Sequence, residues 1–419
     1  MIVLKLAVAS LLNRWLTGLL TVLAIAVSVM LLVGVDKVRK GARDSFAGTI
    51  AGTDLIVGAR SGPLQLLLYS VFRIGNATNN ITWATYRDIA QHPDVEWSVP
   101  LSLGDSHRGY RVLGTTGDYF TRYRYRGGQP LVLSPGAVFS DLFDVVLGAD
   151  VAANLGYRLG DSIVIGHGLG SVSFLEHGDK PFRVAGILAK TGTPVDRTLH
   201  VSLEAIEAIH VDWQQGAPVP GQTISAEAVR SLDLTPKEIT AALVGLKSKL
   251  AIFRVQRDIA AYPDEPVSAI LPGAALQELW SLVGLAETAL AIVAGMVVAT
   301  ALIGMVTMIL TTLNERRREM AILRSVGARP STILGLMTAE AGLLTTAGVG
   351  LGAVLVYGAL ALLRPVIDAM YGLYLPLAPP DGTELATLAA IVVAGCAAGL
   401  VPAVIAYRRS LADGMSVRL

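Results

Sequence analysis

Residues 15–35 read WLTGLLTVLAIAVSVMLLVGV, a run from Trp15 to Val35 with no charged side chain. A bilayer core about 30 Å thick takes roughly 20 apolar residues in a helix to cross, and this run has that length. A cleavable leader is the competing reading. Its apolar core usually spans only about 7–15 residues and ends on small residues at the cleavage positions. Val33-Gly34-Val35-Asp36 lacks that pattern, so the run reads as an uncleaved membrane anchor.

Three further apolar runs lie towards the other end of the chain. The second extends from about Leu279 to Leu313 and is interrupted by Glu287; the third spans Ile333 to Leu363 and is interrupted by Glu340; the fourth covers Leu385 to Tyr407. The charged fraction of the whole chain is only 16%, with 53% hydrophobic residues, against about 25% charged in soluble domains. The excess sits in these four runs, and the stretch between the first and second has ordinary soluble composition. The expected fold is therefore a membrane protein of four transmembrane α-helices with a large α+β extracytoplasmic domain inserted between helices 1 and 2.

Orientation follows from basic residues in the short flanking segments. Lys5 and Arg14 precede the first run. Arg316, Arg317, Arg318, Arg324 and Arg329 lie between the second and third, and Arg408, Arg409 and Arg418 follow the fourth. The remaining short loop has Arg364 against Asp368, Asp381 and Glu384. Both termini are thus expected in the cytoplasm of a bacterial inner (plasma) membrane. The expected layout is an amphipathic elbow at 1–14, spans at 15–35, 277–313, 333–363 and 385–407, an external domain at 36–276, a cytoplasmic loop at 314–332, a short external loop at 364–384 and a cytoplasmic tail at 408–419. Helical character from Pro272-Gly273 to Leu313 would measure about 60 Å, twice the hydrocarbon thickness. Its first part, with Gln277, Glu278 and Glu287, reads as a stalk, and Asp36-Lys37-Val38-Arg39-Lys40 reads as a matching one.

Within the external region strand-like and helix-like stretches alternate. Thr53–Gly58, Tyr110–Gly114, Val145–Gly148, Asp161–Ile165 and Phe182–Leu188 read as strands, and 82–91 as a helix capped by Thr82. Pro and Gly cluster at 130–136 and 216–221, marking a second lobe at about 131–230. The first lobe is expected to be completed by the returning segment 234–267.

Several chemistries are disfavoured. The net charge of +1 offers no basic field for nucleic acid. Cys396 is the single cysteine, so no disulfide framework forms within the chain. No G-x-x-x-x-G-K-[ST], G-x-S-x-G or H-E-x-x-H motif occurs, so no catalytic residues are expected. All six histidines, His92, His107, His167, His177, His200 and His210, fall in the external region. Their spacing matches no zinc motif, and they read as unrelated surface and turn residues, with no metal site expected.

Two acids lie in apolar runs. Glu340, inside the third, is the candidate functional acid within the membrane, because a charge there is costly; Glu287 belongs at or above the outer interface. Small residues recur in the third run at Gly342, Ala347, Gly348, Gly350, Gly352 and Ala353. Such a face lets helices approach closely, within the bundle or between copies.

The loop from Asn314 to Pro330 reads NERRREMAILRSVGARP. Met320, Leu323 and Val326 share a helical face, Glu319 and Arg324 lie on others, and Gly327 supplies a C-terminal cap. This describes a short amphipathic helix at the membrane surface, or an ordinary positive-inside loop.

Here the chain resembles FtsX-like (MacB-type) ABC permeases. The matching residues of the family's coupling segment are Glu319, Ala321, Ile322, Leu323, Arg324, Gly327 and Ala328, with Met320 between them. Leu11 to Val35 resembles the family's first helix with its basic elbow at Arg14. Val146-Leu147-Gly148-Ala149, Leu159-Gly160-Asp161 and Val184–Leu188 resemble pieces of its external domain. The resemblance implies a permease, not an enzyme, in which these residues form the helix that touches an ABC ATPase. Two ATPase copies would bind ATP and Mg²⁺, and no cofactor would be held by this chain. In the macrolide exporter of this family an ATPase is fused before the first helix. This chain begins nearly at that helix, so its ATPase is expected in trans. The resemblance further implies a second protomer, as a homodimer in the bilayer, and mechanotransmission to the external domain, with a periplasmic adaptor or lipoprotein as candidate partner. Export or extraction of a substrate from the outer face of the inner membrane is the leading expectation. A lipoprotein-releasing permease, or a transmitter that regulates an extracytoplasmic enzyme, is the alternative.

Overall fold

The computed structural model describes residues 2–167, 178–214, 217–218, 224–315, 322, 325, 327–371 and 375–408. They divide into two compact units, one formed by 1–42, 284–366 and 375–419, the other by 43–283 and 367–374.

The first unit is helical. Helix α1 spans Ile2–Asn13 and α2 spans Trp15–Ala47. Among the described residues four helices are long and apolar enough to cross a membrane. Apart from α2 they are Pro272–Glu315, Pro330–Tyr371 and Gly382–Arg408. Leu16, Leu20, Val27, Ile292, Met296, Ile303, Val354, Leu362 and Val393 all point outwards and are exposed. Soluble proteins rarely expose so much contiguous apolar surface; lipid solvates it at no cost. Hydroxyls on these helices are satisfied locally. Thr21 donates to Thr17 O at 2.9 Å, Thr300 to Met296 O at 2.9 Å and Thr345 to Ala341 O at 2.8 Å, as a medium without water requires.

The second unit is α+β. Its strands are β1 Leu55–Ala59, β2 Val95–His107, β3 Tyr110–Thr115, β4 Leu133–Gly136, β5 Asp144–Leu147, β6 Ser162–Ile163, β7 Gly166–His167, β8 Phe182–Leu188, β9 Thr198–Ser202, β10 Ala241–Leu246 and β11 Val267–Ile270. They form one 11-stranded sheet in the order β11-β1-β10-β2-β3-β9-β5-β8-β4, with β7 on β2 and β6 on β8. Its helices include α3 Pro63–Ser70, α4 Trp83–Ala90, α5 Ala149–Leu155, α6 Leu203–His210 and α7 Ile252–Ala260. The remaining long helices are α8 Pro272–Glu315, α9 Pro330–Tyr371 and α10 Gly382–Arg408.

The 13-residue strand β2 accounts for the sheet's continuity. Its first half, Val95–Leu101, pairs antiparallel with β10, and its second half, Ser102–His107, pairs with β3. Within the 131–230 stretch β9 pairs with β3 and β7 with β2, so one sheet runs through both stretches read from the sequence. Strand β1 is buried throughout: Ile56 enters one core with Leu66, Leu101 and Leu243, while Leu55 and Val57 enter another with Tyr86, Val244 and Val255. Period-2 alternation with both faces covered explains why it reads as a continuous apolar run. The returning segment supplies β10 and β11, one on each side of β1. Thr82 caps α4, its hydroxyl accepting from Thr85 N at 3.3 Å. The third core packs Val145, Leu147, Leu199 and Val201 against Ala205, Ala208 and Ile209 of α6.

Candidate functional site

The helical unit is held together by close backbone approaches. A Cβ added at Gly348 of α9 would fall 2.6 Å from Ile25 Cβ of α2, and one at Gly352 would fall 2.7 Å from Ala26 O. On its other side α9 meets α10: a Cβ at Gly395 would lie 2.2 Å from Thr345 Oγ1, and one at Gly399 would lie 2.4 Å from Ala341 Cβ. The small residues of the third run are thus largely used inside one chain. Gly350 has nothing within 4 Å of its missing Cβ.

At one end of this bundle all four long helices contribute to a cluster of charges. Lys37 of α2 pairs with Glu384 of α10 at 2.8 Å and sits 4.7 Å from the Tyr357 ring centroid of α9. Tyr357 donates its hydroxyl to Glu384 Oε1 at 3.0 Å. Asp36 binds Arg39 at 2.6 Å and Lys40 at 2.8 Å, and Arg39 reaches Glu287 of α8 at 3.8 Å. Lys40 also pairs with Asp381 at 2.8 Å. Asp381 caps α10, accepting from Glu384 N at 2.7 Å and from the Thr383 hydroxyl at 2.6 Å. The Lys40 ammonium, helped by Thr383, holds the Asp381 carboxyl below the usual carboxylate range. A cavity of about 410 Å³ lined by Leu32, Asp36, Arg39, Glu287, Thr383 and Glu384 opens among these side chains. Chemically this is a lock between helices: the Lys37–Glu384, Lys40–Asp381 and Arg39–Glu287 pairs each join two elements, while Asp36 pairs within α2, so relative motion of the helices must break or exchange the cross-helix pairs.

At the other end Arg14, the residue between α1 and α2, donates to Thr312 O of α8 at 3.4 Å. Glu319, Met320, Ala321, Leu323 and Arg324 of the loop at 314–332 lie outside the described residues. Ile322 is helical and exposed, and the Ser325 hydroxyl donates to Ile322 O at 2.8 Å. Gly327 has φ +99°, a conformation glycine adopts without a Cβ penalty, and Ala328 follows it just before α9 begins. Glu340 is buried in α9.

The chain's relatives agree with this architecture. The MacB-like periplasmic core domain matches residues 19–261, more than half of the chain, and the FtsX-like permease C-terminal domain matches residues 291–411. The chain belongs to the FtsX/MacB-type ABC permease family. The loop at 314–332 falls inside the second match. Among solved structures, the periplasmic region of MacB from Actinobacillus actinomycetemcomitans is similar to this permease at 12% identity and a TM-score of 0.34, over 55% of this chain and 94% of that one. The extracellular domain of the noncanonic ABC-type transporter YknZ from Gram-positive bacteria is similar at 11% identity and a TM-score of 0.31, over 52% and 99%. No curated protein matches the permease.

The histidines need a correction. They are not uniformly surface and turn residues. His200 lies fully buried on β9, its Nδ1 3.3 Å from Val146 O and its ring 5.4 Å from Tyr119's. Burial pushes its pKa down to about 3, with the Arg73 charge acting in the same direction. His107 is engaged at both nitrogens, by Val164 O at 2.6 Å and Tyr157 OH at 2.9 Å. His92 Nε2 lies 3.5 Å from Asp258. His177 lies outside the described residues. His167 and His210 come together beside Asp105, at 3.2 and 3.5 Å from its Oδ1. Burial disfavours protonation of His210, but the Asp105 hydrogen bond and charge outweigh it and raise its pKa. The sequence separation of these residues hides the grouping.

Proposed function

We propose that this permease is the membrane subunit of an ATP-driven machine that does its work at the outer face of a bacterial inner membrane. Residues 15–35, 277–313, 333–363 and 385–407 cross the bilayer, both termini are cytoplasmic, and the α+β domain between the first two spans is extracytoplasmic. ATP and Mg²⁺ are bound by two copies of a separate ABC ATPase, which dock on the coupling residues Glu319–Arg324, Gly327 and Ala328 of a permease homodimer. Closure of the ATPases displaces this loop, and the displacement reaches the extracytoplasmic domain through the long helices. Export or extraction of a substrate from the outer leaflet or periplasm is the work performed, with an adaptor or lipoprotein as external partner. Glu340 is the buried acid that responds to this movement within the membrane.

The observation that carries this reading is helix α8. It is unbroken for 44 residues, about 65 Å, or twice what a bilayer needs. Ala275 and Leu276 at its start are part of the α+β core, and its last residue, Glu315, adjoins the coupling loop.

The test is co-purification of the permease with ABC ATPases co-expressed with it. Retention of the ATPase by wild type and its loss with Leu323→Asp is the expected result. Undiminished retention by the variant refutes the docking assignment. Recovery of a cell-wall hydrolase as the external partner, in place of an adaptor or lipoprotein, favours a regulatory transmitter over a transporter.

A further inference from the structure

Three side chains from separate parts of the α+β unit converge at one point. Asp105 lies on β2 where the register against β3 shifts between Leu103 and Ser106, an irregularity of the kind that re-aims side chains. His167 is the last residue of β7 and lies directly opposite Asp105 in the antiparallel register. His210 is the last residue of α6, a helix begun by the Ser202 cap, whose hydroxyl accepts from Ala205 N at 3.1 Å.

The atoms that face one another are Asp105 Oδ1, His167 Nδ1 and His210 Nε2. Their separations are 3.1 Å between the two nitrogens, 3.2 Å from His167 to Asp105 and 3.5 Å from His210 to Asp105. Zinc takes nitrogen and carboxylate ligands at about 2.0–2.2 Å in tetrahedral geometry. The edge of such a tetrahedron is about 1.63 bond lengths, or roughly 3.3–3.6 Å. The triangle matches that edge to within a few tenths of an ångström, so the spacing of the three donor atoms suits such an ion.

The surrounding contacts are those a metal ligand needs. His210 Nδ1 lies 2.8 Å from Ile206 O. The proton therefore sits on Nδ1, and the Nε2 lone pair is directed at the triangle, the orienting bond common behind metal-bound imidazoles. Asp105 is 2% exposed, whereas the side chains of His167 and His210 are 35% and 26% exposed. The carboxylate anchors the base of the site and the imidazoles leave it accessible. Trp213 packs its ring 5.2 Å from His167's and 5.9 Å from His210's. The loop carrying it is pinned by Asp212, which is bound by the fully buried Lys180 at 2.9 Å.

We propose that Asp105, His167 and His210 form a binding site for one borderline divalent transition cation of the Zn²⁺ class. Among the described residues these three side chains supply the ligand atoms. The ion ties the irregular part of β2, the strand β7 and the end of α6 to one point. Two imidazoles and a carboxylate bind Cu²⁺ and Ni²⁺ as well, and do not retain Mg²⁺ or Ca²⁺, which prefer all-oxygen shells.

The experiment uses the full-length permease in detergent, stripped with a chelator, desalted and titrated with ZnCl2 against a chromophoric chelator. Metal content after desalting is measured by elemental analysis. Wild type is expected to retain one equivalent. Asp105→Asn and His210→Gln are each expected to weaken binding by more than the roughly 10–100-fold that loss of an outer orienting partner costs. His92→Ala is expected to bind as wild type does. Thermal unfolding of the stripped variants shows whether each is folded. Trp213→Phe supplies a readout that does not depend on the ligands: Cu²⁺ quenches wild-type fluorescence through the neighbouring ring, and this variant retains zinc but loses that part of the quench. Absence of a retained equivalent in wild type, or wild-type affinity in Asp105→Asn and His210→Gln, overturns the proposal and leaves a metal-free Asp-His-His hydrogen-bonded chain.

Discussion

Replacing Lys37 with Met strands a carboxylate. Its partner Glu384 is only 5% exposed at the side chain, Lys37 itself 14%, and their charged atoms are 2.8 Å apart. At an effective dielectric near 20 the direct attraction is about 6 kcal/mol, most of which offsets the cost of taking both ions out of water. The net value of the pair is therefore small, but removal of one member is costly because the other stays behind without compensation. Lys37→Met and Glu384→Gln are each expected to destabilise the helical unit by about 3 kcal/mol. The double variant should lose only about 1 kcal/mol, because the net value of the pair is small, giving a coupling of about 5 kcal/mol. Tyr357→Phe, which removes the hydroxyl donated to Glu384, should cost about 1 kcal/mol. The assay is equilibrium unfolding of the full-length permease in mixed micelles, followed by tryptophan fluorescence, with wild type, the two single variants and the double variant forming a thermodynamic cycle. High salt should leave the coupling unchanged. The Lys40–Asp381 pair, with side chains 40% and 51% exposed, should weaken with salt. A coupling below about 0.5 kcal/mol, the scatter expected of independent sites, would refute the reasoning that these helix ends are locked together by a desolvated pair.

Other consequences are equally direct. Gly352→Ala drives a methyl to 2.7 Å from Ala26 O and should destabilise by about 1–3 kcal/mol. Gly350→Ala meets nothing and should be neutral or gain up to about 1 kcal/mol from helix propensity; thermal unfolding in detergent separates them. His200 has a folded pKa of about 3 against about 6.5 unfolded. The unfolded chain thus takes up a proton first, so the contribution of His200 is complete above pH 6.5 and is lost as pH falls towards 3. The slope is at most about 1.4 kcal/mol per unit, and His200→Leu should remove it, as unfolding at pH 6.5 and 4.5 will show. In the metal-stripped protein His210, with its raised pKa, works in the opposite sense: its contribution is complete below the unfolded pKa and fades as pH rises through the folded one. His210→Gln should therefore flatten stability on the alkaline side.

Much of the architecture is legible one residue at a time. The four apolar runs declare themselves by length, because the bilayer imposes a single thickness and the helix a single rise per residue. The start of α8 near Pro272 follows from proline's tolerance at a first helical turn. The cap at Thr82 follows from its hydroxyl, and β8 from its alternation, with Phe182, Val184 and Leu188 buried and Arg183 exposed. The proposed coupling residues are likewise consecutive in the chain, and the family match over 291–411 spans them.

What could not be read locally depends on which distant residues meet. Gly348 and Gly352 announce that a helix approaches, yet nothing in their spacing says whether it is another span or another copy. Only the packed bundle shows Ile25 and Ala26 there. Lys37 and Glu384 each read as an ordinary charge beside a span until the helices set them 2.8 Å apart. Asp105, His167 and His210 lie 62 and 43 positions from one another in successive steps, and no periodicity connects a strand irregularity, a strand end and a helix end. Period, length and capping are short-range consequences of backbone geometry and solvent, so the amino-acid sequence alone determined the spans and most of the elements. Charge pairing, close glycine contacts and ligand convergence are set by the sheet register and the helix packing, and those only the tertiary structure decided.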